Sequence, residues 1–228
     1  MKLLPESICT LYLNFINPVI KFFIRLETNP NFLTTLGLII QLIAIYFLAT
    51  GKFIVGGALI LIAGTCDIID GQVAQGRGMG TKFGALYDSV LDRYAEFAMF
   101  FGIGYYFIKH EYYFSSIVAF IALGGSLMTS YIRARSEALN FDCRIGIMQR
   151  PERIVYIGFA SILSGILSWM SKIFTVPYPL IIVLVIIAIM ANYTACQRIW
   201  HVYKLTDRGR ELLTPNPDKP EPNRSKKG

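Results

Sequence analysis

Histidine, cysteine and charged residues are all scarce in this sequence of 228 residues. It contains two histidines and four cysteines, and only 16% of its residues are charged. No two cysteines have the Cys-x-x-Cys spacing and three of them lie in or beside apolar runs, which disfavours a zinc site or a disulfide framework. The histidines, His110 and His201, stand alone near predicted helix ends, so we do not expect them to act in catalysis.

Long polar stretches are also missing, except at the C-terminus. The chain is 54% hydrophobic and its mean hydropathy is +0.49, far above that of a soluble globular domain. A helix needs about 20 mostly apolar residues to cross a bilayer. Six segments approach that length: Phe32–Thr50, Phe53–Ala74, Phe83–Ile108, Phe114–Arg133, Ile154–Met170 and Tyr178–Arg198. The sequence therefore predicts an all-α integral membrane protein with six transmembrane helices in residues 30–205.

The two ends of the chain differ from this central part. Residues 1–29 have no small-residue cleavage site, so they do not resemble a signal peptide. Their apolar residues recur at helical spacing, with Lys21 and Arg25 on the other side; these apolar residues are Leu11, Phe15, Val19, Phe22 and Phe23. We expect an amphipathic helix lying in the membrane interface. Residues 206–228 are rich in proline and charge, which predicts a disordered tail.

Basic residues concentrate on one side of the predicted membrane protein. The net charge is +7, yet the first, third and fifth loops carry only Lys52, Lys109 and Lys172. The positive-inside rule then predicts a multi-pass protein of the inner (cytoplasmic) membrane with both termini in the cytoplasm. We expect the protein to be embedded in the lipid bilayer and to bind no nucleic acid.

Four aspartates interrupt the apolar pattern in the stretch "CDIIDGQVAQGRGMGTKFGALYDSVLDRYAEF", at residues 66–97. Asp67 and Asp70 are spaced i,i+3, and Asp88 and Asp92 are spaced i,i+4, so each pair lies on one helix face. One aspartate costs about 2.5–3.5 kcal/mol near the centre of a span. The short connection predicts two antiparallel neighbouring helices, whose small residues let the helices approach closely or let a ligand reach the backbone.

Facing carboxylate pairs offer hard oxygen ligands, which suit one or two Mg²⁺ or Mn²⁺ ions. The structural alternative is that the aspartates form ion pairs with nearby basic residues, namely Arg77, Lys82 or Arg93. Without compensation of either kind the four carboxylates would repel one another.

This stretch resembles the CDP-alcohol phosphotransferase family, whose pattern is DxxDGxxAR, eight residues, then GxxxDxxxD. Seven of the eight defining positions match with the spacing intact; the departure is Gln75, where the family has arginine. The resemblance implies the family's six-helix membrane fold with an interfacial N-terminal helix. It covers nearly the whole chain except the tail.

The resemblance also implies residue roles. Asp67, Asp70 and Asp88 would bind metal, and Asp92 would be the general base and also touch a second metal ion. The residues that correspond to donor contacts are Asn31, Thr34, Gly71, Ala74, Gln75, Thr81 and Gly84. Helix N-capping is the alternative for Asn31 and Thr34. The donor would be CDP-diacylglycerol, and a homodimer is expected from the resemblance alone, with Gly and Ser residues of the third and fourth spans permitting it.

Arginines at the predicted cytoplasmic helix ends indicate an anionic acceptor, because guanidinium groups bind phosphate oxygens in bidentate fashion. Within the family, these stretches resemble the phosphatidylinositol-phosphate synthases, which implies acceptor binding by Arg133, Arg153 and Arg198. The expected reaction is transfer of the phosphatidyl group to myo-inositol 1-phosphate with release of CMP. Glycerol 3-phosphate as acceptor, an ether-lipid donor, and an intramembrane prenyltransferase remain alternatives.

Overall fold

Seven α-helices form the described part of the chain in the computed structural model, which covers residues 6–76, 78, 80–143, 145–170 and 176–209. No strand occurs within these residues, so the expected all-α class is confirmed for them. In chain order the helices are α1 (Glu6–Arg25), α2 (Pro30–Ala49), α3 (Phe53–Gly76), α4 (Lys82–Lys109), α5 (Tyr113–Ala138), α6 (Arg150–Met170) and α7 (Tyr178–Gly209).

Helices α2 to α7 coincide with the six apolar segments of the sequence. Five of them, α2, α3, α5, α6 and α7, are long and apolar enough to cross a membrane. Helix α4 has 28 residues but is not among these five, because its charged residues dilute its apolar surface. Its charged residues are Lys82, Asp88, Asp92, Arg93, Glu96 and Lys109. The described helices therefore identify an integral membrane protein with at least five helices suited to spanning.

Helix α1 has one exposed apolar side and one packed side. Among its exposed side chains are Leu11 and Phe15, at 74% and 80% of their full exposure. On the packed side, Ile16 and Ile20 are buried in a small cluster with residues of α2 and α3. The hydroxyl groups of Tyr12 and Thr65, which lie 2.6 Å apart, add a hydrogen bond between α1 and α3. The helix is thus attached to the bundle while apolar residues face outward.

The last helix continues beyond the apolar segment that predicts it. Helix α7 runs to Gly209, past residue 205, where the sequence predicts the transmembrane domain to end. The rest of the expected disordered tail, residues 210–228, lies outside the described residues, as do residues 1–5.

Close helix packing depends on glycines. Helices α3 and α6 meet where a Cβ added to Gly57 would lie 2.6 Å from the carbonyl oxygen of Gly158. Small residues let two backbones approach in this way, which is how helices pack in membranes without a hydrophobic driving force. The contact matters for the site because α3 carries Asp67 and α6 carries Arg150, which pairs with it.

The small residues of α4 and α5 also allow close packing against neighbouring helices of the same chain. A Cβ on Gly102 or Gly125 would collide with a side chain of a neighbouring helix, and one on Gly104 would lie only 3.0 Å from the ring of Phe120. Ser126 is fully buried. Gly124 is different, since a Cβ there would meet nothing within 4 Å. Most of the small residues that could permit a dimer are therefore used within one subunit.

Candidate active site

Three carboxylates converge where the loop joins α3 to α4. Asp67 and Asp70 on α3 and Asp88 on α4 each place one oxygen so that all three oxygens lie within 4.8 Å of one another. Asp70 is only 5% exposed. One oxygen of Asp70 and one of Asp88 are buried without a hydrogen-bond partner in the described part of the chain. Buried carboxylate oxygens that lack partners are costly unless a cation or a donor satisfies them.

The expectation that small residues bring α3 and α4 close together is wrong, while the alternative that they let a ligand reach the backbone stays a prediction. Helix α2 packs on both of them, while α3 and α4 make scarcely any close backbone contact among the described residues. The side chains of the aspartates reach across the space that this arrangement leaves. Carboxylates this close repel one another, and a cation bound between them would offset that repulsion.

Asp92 lies one helical turn further along α4 and is held by an arginine that the sequence did not single out. A guanidinium nitrogen of Arg150, the first residue of α6, forms an ion pair with Asp92 and also lies 3.2 Å and 3.3 Å from the two oxygens of Asp67. Arg93 is a weaker neighbour of Asp92, at 3.9 Å. The alternative of structural ion pairing is thus realised in part, with Arg150 as the main partner; Arg77 lies outside the described residues.

Several candidate donor contacts gather at the start of α2 and α4. The side chain of Thr81 caps α4 by accepting a hydrogen bond of 2.9 Å from the backbone N–H of Gly84. A Cβ on Gly84 would lie 3.2 Å from the side-chain oxygen of Asn31. Gly71 has open space, since nothing lies within 4 Å of the position of its missing Cβ. Along the chain, Gly71 directly follows Asp70, and Gly84 lies one helical turn before Asp88.

The remaining candidate donor residues differ in exposure. Thr34 is buried and lines a narrow cleft of about 40 Å³ together with Asp67, Asp70 and Asp92. Ala74 is half-buried and Gln75 is exposed at the end of α3. The N-capping alternative for Asn31 and Thr34 is wrong.

Asn29 caps α2 instead. Its side chain accepts a hydrogen bond of 3.0 Å from the backbone N–H of Asn31.

The three candidate acceptor arginines line a second, larger cavity of about 380 Å³. It opens between α4, α5, α6 and α7 beside the aspartates. Charged residues that line it are Asp92, Arg93, Arg133, Glu137, Arg150, Arg153 and Arg198. Asp92 and Arg150 line both this cavity and the narrow cleft. The two spaces therefore share a wall made of one carboxylate and one guanidinium group.

The candidate acceptor arginines are not equally free. Arg153 is 1% exposed, and its guanidinium group donates to Glu96 at 2.8 Å and to the backbone carbonyl of Met148. Arg198 is 4% exposed and donates to the backbone carbonyls of Ile145 and Thr129. Both help to build the cavity wall.

Arg133 keeps about half of its side chain exposed and pairs with Glu137 on the same helix. Its guanidinium group is therefore the most accessible of the three.

Glu96 is a further acidic residue that sequence analysis missed. It continues the stripe of Asp88 and Asp92 by one more helical turn, which was the available signal. It is buried, lines the narrow cleft and has one oxygen without a hydrogen-bond partner among the described residues. No pattern in the sequence indicated that its partner would be Arg153, 57 residues away.

Comparison with known families agrees with this geometry. The family model of CDP-alcohol phosphatidyltransferase matches residues 27–176, which include all four aspartates and both helices that carry them. The chain belongs to the CDP-alcohol phosphatidyltransferase family. It is accordingly a membrane-embedded transferase of phospholipid biosynthesis, and the hypothesis of a prenyltransferase is wrong.

Curated relatives of this CDP-alcohol phosphatidyltransferase span most of its length. Archaetidylinositol phosphate synthase of Methanothermobacter thermautotrophicus is 32% identical over 197 residues, covering 84% of this chain and 94% of the relative. Phosphatidylinositol phosphate synthase of Corynebacterium glutamicum is 34% identical over 188 residues, covering 81% and 82%.

Solved structures of phosphatidylinositol phosphate synthase from Mycobacterium tuberculosis share the fold of the transferase, at 28% identity. One, with CDP-DAG bound, has a TM-score of 0.71 and covers 82% of this chain and 92% of its own. Another, in complex with manganese and citrate, has a TM-score of 0.72 and covers 82% and 88%. The aspartate cluster of this chain fits a divalent cation, because its ligands are all oxygens and two of them lack partners.

Proposed function

We propose that the protein transfers the phosphatidyl group of CDP-diacylglycerol to myo-inositol 1-phosphate and releases CMP. The observation that carries the proposal is that Asp92 lines both the aspartate cleft and the arginine-lined cavity. One carboxylate thus lies between a site suited to a metal-bound pyrophosphate and a site suited to an anionic alcohol. The names of the relatives, which are inositol phosphate lipid synthases, support the same acceptor.

We further propose that Asp67, Asp70 and Asp88 bind Mg²⁺ or Mn²⁺, and that Asp92 contributes to a second ion. The support is the mutual distance of the first three carboxylates and the two unpartnered oxygens. When bound, such ions neutralise the charge of the pyrophosphate and of the departing CMP.

Asp92 is the proposed general base. Its carboxylate takes the proton of the acceptor hydroxyl while the hydroxyl oxygen forms a bond to the lipid-linked phosphorus. The bond between that phosphorus and the CMP oxygen breaks, so CMP leaves with the electron pair. The side chain of Asp92 is 14% exposed and borders the cavity proposed for the acceptor. A positioned base of this kind contributes about 10²–10⁴-fold to a rate.

The donor is proposed to lie along the loop side of the aspartates. Gly71 leaves room for it beside Asp70, and Asn31, Thr81 and Gly84 provide polar groups and backbone at the start of the helices. The proposed donor contacts also include Thr34, which lines the narrow cleft, and Ala74 and Gln75, which lie at the end of α3. Gln75 can donate a hydrogen bond but lacks the positive charge that the family has there.

The acceptor phosphate is proposed to bind in the arginine-lined cavity. Arg133 is the most accessible of the three arginines and can turn from Glu137 towards a phosphate. Arg153 and Arg198 are buried in the wall and add positive charge there. Charged donors hold phosphate strongly, because such hydrogen bonds are about twice as strong as neutral ones.

The proposed membrane arrangement has six spans, with α4 as the sixth and α1 in the interface. The exposed apolar side chains of α4, such as Phe97, Phe101 and Tyr105, suit contact with lipid. We propose an inner-membrane protein with both termini in the cytoplasm, where the soluble acceptor would be present. A homodimer is part of the proposal on the family resemblance; Gly124 leaves open space for such a contact.

Release of CMP is the direct test. Purified full-length protein would receive CDP-diacylglycerol and Mg²⁺ with myo-inositol 1-phosphate, glycerol 3-phosphate or free inositol. We expect release with inositol phosphate alone. A preference for glycerol 3-phosphate would keep the reaction but replace the acceptor. Repeating the assay with an ether-lipid CDP donor tests the alternative donor. Absence of CMP release under every condition would contradict the proposal.

A further inference from the structure

Arg150 occupies a central position that none of the assigned roles explains. One of its guanidinium nitrogens contacts both oxygens of Asp67 and pairs with Asp92, so it connects α6 to α3 and α4 at once. Its side chain is 19% exposed. Together with Asp92 it forms the shared wall of the two cavities. A change of charge in either cavity therefore acts on Arg150, which borders both.

The local charge makes this contact important. Four carboxylates lie close together, and among the described residues two basic side chains form ion pairs with them, Arg150 and Arg93. The Arg93 contact is long, at 3.9 Å, and the side chain is 36% exposed, so solvent screens it. Arg150 therefore supplies most of the positive charge within contact distance of the aspartates.

We infer that Arg150 is an internal counterion of the aspartate site, which holds Asp67 and Asp92 when no divalent cation is bound and competes with the cation for them. The inference rests on the proposed role of Asp67 as a metal ligand. A carboxylate paired with a guanidinium group must give up that contact, wholly or in part, to offer the same oxygens to a metal. Binding of the cation is weakened by the free energy of the pair that it replaces.

Replacing Arg150 should consequently strengthen binding of the cation. In an Arg150→Gln variant, Asp67 and Asp92 would repel each other with no charge to offset them, which raises the free energy of the cation-free protein. Residues within one ion-pair network couple strongly enough to change an affinity by about tenfold. Arg150→Lys keeps the positive charge on a shorter side chain, which weakens the contacts with Asp67 and Asp92 without removing the charge, so its effect should be smaller and of the same sign.

The test is a titration of Mn²⁺ into the full-length, detergent-solubilised protein after removal of metals by a chelator, with free Mn²⁺ measured by electron paramagnetic resonance. We expect the Kd of Arg150→Gln to be about tenfold lower than that of the wild type. Arg133→Gln is the matched control, because it removes the same charge from the same cavity without touching an aspartate. Its Kd should stay within about twofold of the wild type.

The outcomes separate this inference from the proposed function. An unchanged or higher Kd for Arg150→Gln, or an equal decrease for Arg133→Gln, overturns the counterion role. If Arg150→Gln does not fold, Arg150→Lys decides: a lower Kd supports the inference and an equal or higher Kd contradicts it. Asp70→Asn tests the site itself, since Mn²⁺ binding that survives this change would mean that the metal assignment, and not only the counterion, is wrong.

Discussion

The carboxylates of Asp70 and Asp92 have different neighbours, and this difference supports the different roles proposed for them. Asp70 is almost fully buried and has an oxygen without a hydrogen-bond partner within the described residues. Asp92 instead lies at the junction of two cavities beside Arg150. The first environment is typical of a group that binds a cation. The second allows a carboxylate to reach a hydroxyl group that enters from the arginine side.

Asp92→Asn tests the base at the residue scale. The change preserves shape but removes the group that accepts the proton, so transfer should fall by about 10²–10⁴-fold. Binding of the first Mn²⁺ ion should persist, because Asp67, Asp70 and Asp88 remain. Release of CMP and Mn²⁺ titration would measure the two effects separately. Full turnover in this variant would show that another group takes the proton.

Gln75→Arg tests the one departure from the family pattern. The added positive charge at the end of α3 should strengthen binding of the pyrophosphate-containing donor and lower the KM for CDP-diacylglycerol. Thr206→Arg is a suitable control, since this exposed residue near the end of α7 adds the same charge away from the aspartates. If both variants change KM equally, the effect is general electrostatic attraction and not a donor contact.

Two ion pairs attach the first turn of α6 to α4 at the scale of the helices. Arg150 and Arg153 are spaced i,i+3 on α6 and meet Asp92 and Glu96, spaced i,i+4 on α4. Each spacing keeps both partners on one helix face. The backbone N–H of the residue before Arg150 donates to the side chain of Glu152 at 2.6 Å, which helps to start α6 there. This attachment orients the arginine-lined cavity relative to the aspartates.

Glu96→Gln should destabilise the protein strongly, because it leaves the guanidinium group of Arg153 buried without a counter-charge. Loss of one partner of a buried ion pair costs about 3–5 kcal/mol. Glu137→Gln is the matched control, as its pair with Arg133 is exposed on one helix and such pairs contribute about 0.3–0.5 kcal/mol. Thermal unfolding in detergent compares them, and similar shifts in Tm would mean that the buried pair does not stabilise the fold.

The number of spans decides the topology of the whole molecule. Five helices have the length and apolar composition to cross a membrane, and five spans alone would leave the termini on opposite sides. With α4 as a sixth span, the termini lie on the same side. The charge pattern favours this arrangement, since basic residues gather in the loops that six spans would leave in the cytoplasm.

Reporter fusions in a bacterial host test this topology. A fluorescent protein fused after residue 228 should fluoresce, because it folds in the cytoplasm, and the same fusion before residue 1 should do so too. Alkaline phosphatase at either end should be inactive. Inserted at Lys52, in the loop between α2 and α3, the phosphatase should be active. An active phosphatase at one terminus would exclude an even number of spans.

The positions of the helices and the residues of the candidate metal site follow from local patterns in the sequence. Each apolar segment is long enough to satisfy its own backbone hydrogen bonds as a helix in lipid, so the helices could be predicted one by one. The spacing of the aspartates within each helix similarly determined which of them share a face. Membership of the family followed from the same contiguous stretch and is confirmed by comparison.

Partners that lie far apart in the sequence could be known only from the tertiary structure. Arg150 and Asp67 are separated by 83 residues, and Arg153 and Glu96 by 57. Their pairing depends on how α6 packs against its neighbours, which glycines such as Gly57 permit at close range. The sequence alone determined which charges exist and on which helix faces they lie, because periodicity acts within one segment. The packing of the helices decided which charges meet. A buried charge is costly unless it is paired, and its partner must come from a helix that packs against it.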